Sequence, residues 1–391
     1  MSDRTFVSLW SDGTPVRGGT LSDIEPIKVG LLVDYLEDDG EIQPGLVTAM
    51  ELIAEQYLER GILDRPVEYV VRSSQGLPKG SFRGVRVAFD ELVDEGVLII
   101  FGPWVSENAA PLREYVDQRA EVVCITMAAS ENSLSEWMFG LPAGSLEEEP
   151  IIITAVVAHD GHETVGVAYE DSLIGNEYLQ SMRSACRAAG LQIVAETAIP
   201  QVPTEKREAM AKLAAARPDA LIHVGFGLGL VGMNDALDEI GWTPARYTTT
   251  AFEFASQTLW WRGQLAGWIG LDQLDERNTV GREFLAEYAK RTDEPADTFF
   301  PLYCYDVGRL MMIALSTAHP LTGAGVKDAL EKIKMLPAAT GAPGTRIRFG
   351  KYLRNGWVGS EFLVARRVLP DASAIVLHGT IEGLVEPPAP T

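Results

Sequence analysis

The residues best suited to handling a small molecule lie in Phe101-Gly102-Pro103-Trp104-Val105-Ser106-Glu107-Asn108. The apolar run Val97-Leu98-Ile99-Ile100 precedes them, and the helix-like stretch Ala109–Arg119 follows. This pattern predicts a buried strand that turns sharply at Gly-Pro, presents the indole of Trp104 and starts a helix with Ser106 as its N-cap. Free N–H groups at a helix start, beside a hydroxyl and an aromatic wall, suit a carboxylate or another small polar head group. Neither a nucleophile with its base nor a metal-ligand cluster accompanies the segment, which points to recognition without bond making.

Other clusters invite chemistry and are weaker. Gly227-Leu228-Gly229-Leu230-Val231-Gly232 has the spacing of a dinucleotide loop and follows the strand-like Ala220–Val224. Such a loop should open the first strand–helix turn of its domain, with an acid ending the next strand. Here the loop lies deep in the chain and the next strand ends in Thr248-Thr249-Thr250, so no cofactor is expected and a dinucleotide-binding enzyme stays as an alternative. His159-Asp160-Gly161-His162 offers two imidazoles, but Gly161 stands where a helix should stop and no third ligand is near, so the expectation is a solvated turn and no metal. Glu147-Glu148-Glu149 ahead of Pro150 reads as charge favouring a helix N-terminus, with no partner needed. Trp260-Trp261 fits a packing cluster or a cleft element and carries no ligand role, while Asp306 fits either a helix contact or a hinge. Cys124, Cys186 and Cys304 are widely spaced and odd in number, which predicts small buried apolar residues rather than a disulfide framework.

The elements that must position these residues follow from length and periodicity. A chain of 391 residues exceeds what one hydrophobic core usually supports, so two lobes are expected. Its formal net charge of -22, without any Lys/Arg run, argues against nucleic acid and anionic lipid, and no apolar stretch is long enough to cross a bilayer. Short apolar runs alternate with amphipathic segments from Ile27 onward, which predicts βαβ units and a doubly wound α/β fold with two parallel-sheet lobes. A second cycle begins after Gly140-Leu141-Pro142-Ala143-Gly144, and the helical Val280–Arg291 and Phe300–Ala318 are expected to return to the first lobe. Asn355-Gly356 predicts a tight turn between late strands. The expected division is an extension at 1–26, lobe 1 at 27–140 and 275–336, and lobe 2 at 141–266 and 351–380. Crossover segments fall at 267–274 and 337–350, and a flexible tail at 381–391. Residues 1–24 carry Asp3 and Arg4 early and no long apolar run, which predicts a cytoplasmic start.

Across Ile27 to His378 the chain resembles the type I periplasmic-binding-protein family, in particular its branched-chain amino-acid and amide-binding branch. The resemblance is carried by Ile27-Lys28-Val29-Gly30-Leu31-Leu32, Gly61-Ile62-Leu63, Leu92–Asp117, the stretch Val123–Ser130 and Tyr305-Asp306-Val307-Gly308-Arg309-Leu310, in order and spacing. It implies two lobes joined by three crossover strands, a small polar or carboxylate-bearing solute held between them by hinge closure, and no enzymatic activity. It implies an ABC permease as partner for export-type relatives and a regulatory protein for cytosolic amide sensors. For export-type relatives it also implies a periplasmic or extracellular location. The implied ligand residues are Ser106 for the carboxylate, Ala128 and Ser130 at the next strand end, and Phe226 and Glu253 in the second lobe. Trp104 and Ile174 are expected as apolar walls. Ile174 stands before Gly175 where the family often has an aromatic, and Ser74 and Val105 stand near where exported amino-acid binders carry a bridging cysteine pair. Both departures weaken the assignment of a free amino acid, and a cytosolic amide-sensor-like role or a ligand without an ammonium group fits comparably well. Ile174 in particular implies a preference for ligands other than the simplest branched-chain amino acids.

Overall fold

The computed structural model describes residues 24–34, 45–74, 76, 80–200, 206–292 and 298–379. Residues 1–23 of the expected extension and the expected tail at 381–391 lie outside them. The first cycle comprises β1 (Ile27–Val33), α1 (Leu46–Glu59), β2 (Val67–Ser73), α2 (Phe82–Asp94), β3 (Ile99–Phe101), α3 (Ser106–Arg119), β4 (Val123–Thr126) and β5 (Met138–Gly140). Its strands form a parallel sheet in the order β2-β1-β3-β4-β5. The inner strands β3 and β4 are buried at every position because helices cover both faces, which is why they read as unbroken apolar runs.

The second cycle comprises α4 (Glu148–His159), β6 (Thr164–Glu170), α5 (Leu173–Ala188), β7 (Gln192–Ile199), α6 (Arg207–Ala215), β8 (Ala220–Val224), α7 (Met233–Ile240) and β9 (Ala245–Thr248). The short α8 (Phe254–Gln257) and α9 (Leu259–Gln264) follow, then β10 (Trp268–Asp272). After α10 (Thr279–Arg291), α11 (Phe299–Thr317) and α12 (Gly323–Leu330), the chain ends in β11 (Leu336–Pro337), β12 (Arg346–Ile347), β13 (Trp357–Val358), β14 (Val364–Val368) and β15 (Ile375–Gly379). The second sheet runs β15-β14-β10-β9-β8-β6-β7 and is parallel except at β14, which is antiparallel to both of its neighbours, β10 and β15. Of the late helices, α11 packs along α1, α10 against α11, and α12 against β4.

Two expectations need correction. The segment 267–274, expected as a crossover, is mostly β10, which pairs with β9 on one side and β14 on the other; its fully buried sequence needs two neighbours. Asn355-Gly356 makes no left-handed hairpin turn. Gly356 instead donates its N–H to Gly140 O at 2.8 Å, while Gly140 donates to Arg354 O at 2.8 Å, so residues 354–356 dock on the edge of the first sheet. That contact takes the beginning of 351–380 out of the second lobe.

The chain passes between lobes at 141–147, 273–278 and 359–363. The Gln273 amide donates to the carbonyls of Pro142 (3.1 Å) and Ala143 (2.7 Å), and Gly341 donates to Gln273 O at 2.7 Å. Asp306, buried on α11, accepts the N–H groups of Ala339 (2.9 Å) and Thr340 (3.0 Å). Asp306 therefore ties α11 to the segment 339–340, whose neighbour Gly341 is bonded to Gln273.

Candidate functional site

Each lobe builds its wall of the cleft around a buried carboxylate that closes its first strand. In lobe 1, Asp34 follows β1 and is fully buried. One of its oxygens accepts the N–H groups of Trp104 (2.5 Å) and Val105 (2.7 Å), and the other accepts the Asn108 amide (2.5 Å) and the Ser74 hydroxyl. The turn Gly102–Val105 is thus tied to the neighbouring strand. Gly102 has φ +121°, and a side chain there would strike Leu32 O. Burial pushes the Asp34 carboxyl above its ordinary range, against the lowering effect of its four donors.

Lobe 2 repeats the device. Glu170 closes β6, the counterpart of β1 in strand order, and accepts N–H from Phe226 (2.9 Å), Gly227 (2.9 Å) and Gly229 (2.7 Å). His223 Nε2 lies 3.5 Å from the same carboxylate. The glycine loop with dinucleotide spacing is therefore filled by a side chain of the protein itself. A phosphate seated there would meet a buried carboxylate, which removes the dinucleotide alternative.

The cavity between the lobes encloses about 100 Å³. Trp104, Ser106, Met127 and Ala129 line it from lobe 1, with Phe299 and Phe300 of the returning α11. Ile174, Tyr178, Phe226, Thr250, Glu253 and Phe254 line it from lobe 2, and Ala143 and Gly144 of the first passage close its floor. Phe300 stands edge-on to Trp104 with ring centroids 6.0 Å apart, and Phe226 edge-on to Phe254 at 5.6 Å. Trp261 stacks on Phe254 at 4.4 Å and Trp260 projects outward, so the tryptophan pair supports the wall from behind.

Two buried carboxylates of lobe 2 differ in how they are satisfied: Glu149 stands behind the wall, and Glu253 lines the cavity. Glu149 is fully buried and accepts from Ser145 N (2.5 Å), Tyr178 Oη (2.8 Å), Thr250 N (2.6 Å) and Thr250 Oγ1 (3.0 Å). The reading of 147–149 as bare helix-terminal charge is corrected here, because Glu149 knots the first passage to the second lobe. Burial raises its carboxyl to about 7. Glu253 is 7% exposed and its Oε1 accepts no hydrogen bond among the described residues. Burial first, then the charges of Asp272 and Glu149, push its carboxyl well above the ordinary range.

Five of the residues singled out by sequence, Trp104, Ser106, Ile174, Phe226 and Glu253, line this one cavity. Ala128 and Ser130 stand behind it, and Met127 and Ala129 face it instead. The Ala128 N–H donates to Thr126 Oγ1 at 3.1 Å, and Ser130 donates its N–H to Ser106 Oγ at 3.2 Å. Ser106 is not the N-cap of α3; Val105 holds that position and Ser106 is the first helical residue. Asp34 explains the shift, because it already supplies the acceptor for the turn. Ser74 and Val105, near the places of the implied cysteine pair, are joined through Asp34 by hydrogen bonds. Across the mouth, Glu177 of α5 accepts from the Ser130 hydroxyl (3.0 Å) and the Asn132 amide (3.4 Å), so the lobes touch.

The remaining clusters have structural roles. Asp160 accepts Tyr247 Oη (2.7 Å) and lies 3.0 Å from His378 Nε2, so the histidine-flanked turn pins β9 and β15 rather than standing free in solvent. No group of residues that could hold a metal occurs among the described residues, and all three cysteines are buried and unpaired.

Two parallel-sheet lobes, three passages between them and an aromatic cavity at the junction define the type I periplasmic-binding architecture. The chain belongs to the periplasmic binding protein family, whose model matches residues 26–359, a family of non-enzymatic solute binders. Among solved structures, a type 1 periplasmic binding protein from Bordetella pertussis Tohama I is similar with a TM-score of 0.75 at 16% identity, over 90% of this chain and 100% of that one. An ABC transporter substrate-binding protein from Desulfitobacterium hafniense, in complex with Leu, is similar with a TM-score of 0.71 at 17% identity, over 88% and 97%. An extracellular ligand-binding receptor from Verminephrobacter eiseniae matches with a TM-score of 0.71 at 16% identity, over 89% and 99%. No curated protein matches the sequence. The chain therefore has the fold of ABC transporter substrate-binding proteins, and no described helix is long and apolar enough to cross a membrane.

Proposed function

We propose that this chain is a solute receptor that takes up one small polar molecule between its lobes by hinge closure and hands it to an ABC permease. The observation that carries the reading is the cavity itself, walled by both lobes and by the first passage, so that an occupant touching all of them gains contacts only when the lobes meet. Ser106 offers its hydroxyl hydrogen to the solute, its oxygen being held by Ser130 N–H, while Glu253 takes the other polar end. Trp104, Ile174 and Phe226 cover the apolar body. Ala128 and Ser130 act one step behind, fixing the strand end and Ser106. Closure follows only if the solute binds the closed state more tightly than the open one.

The D. hafniense relative holds Leu, which makes amino-bearing solutes of that size the start of a screen. The test is a thermal-shift screen of small solutes, followed by small-angle scattering with each hit. A solute at about 100 times its Kd should stabilise the protein by about 2.7 kcal/mol, and the radius of gyration should fall. A broad library in which nothing stabilises the protein or compacts it would refute the receptor reading.

A further inference from the structure

Resting on that reading, we propose that the solute is an apolar primary amine whose other polar group is uncharged, and that carboxylates are rejected. The charge of the cleft carries the argument. Among the described residues, no Lys, Arg or His lines the cavity, whereas Glu253 lines it with an oxygen that accepts no hydrogen bond at 7% exposure. A buried carboxylate oxygen without a donor is a costly arrangement unless a donor arrives with the occupant, and an ammonium brings three.

The lobe 1 side points the same way. A carboxylate head group would need several donors at the turn before α3, but the N–H groups of Trp104 and Val105 are spent on Asp34. Among the side chains lining that side, the donors are the Ser106 hydroxyl and the Trp104 indole N–H, both neutral, enough for a neutral carbonyl or amide oxygen and too little to offset a desolvated anion. The charged groups behind both walls do not compensate. Asp34 stands behind lobe 1, and Glu149 and Glu170 behind lobe 2, all fully buried. Cations near them are already committed. Arg366 donates to Leu274 O (2.8 Å) and Glu276 (2.7 Å), and Lys206 donates to Val231 O (2.9 Å). The rings of Trp104, Phe226, Phe254 and Phe300 line the cavity and give an apolar seat for an aryl or alkyl body.

The experiment is isothermal titration of the full chain with two matched sets of probes: L-phenylalaninamide, L-phenylalanine and 3-phenylpropionate, then L-leucinamide, L-leucine and 4-methylvalerate. In at least one set the amino amide should bind tenfold or more tighter than the amino acid, and the carboxylic acid should not bind. Glu253→Gln, close to isosteric, should weaken the amide at least tenfold while leaving the thermal midpoint of the free protein unchanged or higher. An amino acid that equals or beats its amide, binding of either acid, or six silent titrations would each overturn the proposal. In those cases the library screen above still decides separately whether the chain is a receptor.

Discussion

Replacing Asp34 tests whether the lobe 1 wall is held as described. Asp34→Ala removes the acceptor of the Trp104 and Val105 N–H groups and of the Asn108 amide, whereas the Ser74 hydroxyl keeps Val33 O at 3.3 Å. Two buried backbone donors are then stranded, each costing about 1–3 kcal/mol, while the Asn108 amide keeps Ser74 Oγ at 3.0 Å, and together with the vacated volume the loss should be about 4 kcal/mol. Asp34→Asn behaves differently. Its carbonyl oxygen can keep both backbone donors, and its new NH2 faces Asn108, whose Oδ1 has no hydrogen-bond partner among the described residues. A turn of the Asn108 amide would supply that oxygen, so this variant should lose only about 1 kcal/mol. Urea denaturation followed by far-UV circular dichroism at pH 7 should therefore separate the two variants by about 3 kcal/mol. Equal midpoints, or an alanine variant within about 1 kcal/mol of the native protein, would show that the carboxylate does not hold the turn.

Three further outcomes follow from the same geometry. Ser106→Ala should weaken solute binding by about 1–2 kcal/mol in titration calorimetry, since the cleft loses a lobe 1 donor and the Ser130 N–H loses its acceptor; unchanged affinity would remove Ser106 from the site. Glu149 has a folded-state pKa raised from 4.5 to about 7, so its contribution is full below 4.5 and lost as pH rises through 7. Unfolding free energy measured at pH 5 and pH 8 should differ on its account by about 2 to 3 kcal/mol in favour of pH 5, and Glu149→Gln should flatten that slope. Glu177→Ala removes the acceptor shared by Ser130 and Asn132 across the mouth; a Kd raised by about 1 kcal/mol and a larger radius of gyration without solute are expected, and no change in either would mean the contact does not bias closure.

The alternation of strand and helix was legible because inner strands such as Val123–Thr126 are apolar throughout and their helices are not. The strand–turn–helix around Trp104 was legible for the same reason, with Gly-Pro marking the turn. What the sequence hid was which polar residue is consumed by the fold. Asp34 and Glu170 each end an apolar strand, a signal that was present in single residues, but only the spatial neighbourhood of β1 with β3 and β6 with β8 reveals that they fill the loops beyond. Of three successive glutamates, only the tertiary packing selects Glu149 for burial. Phe300 reaches Trp104 from a helix almost two hundred residues downstream, beyond the range of any local pattern. Ala128 and Ser130 were one residue out of phase with the cavity, since successive residues at a strand end point to opposite sides.

The matched pegs at Asp34 and Glu170 bear on how such a protein could be re-engineered. Each jaw takes its shape from an acid rooted in its own sheet, and neither acid belongs to the face that meets the cargo. New side chains at Met127, Ile174 or Phe254 can therefore be grafted onto a framework that stays put, so altered selectivity and a folded scaffold become separable goals.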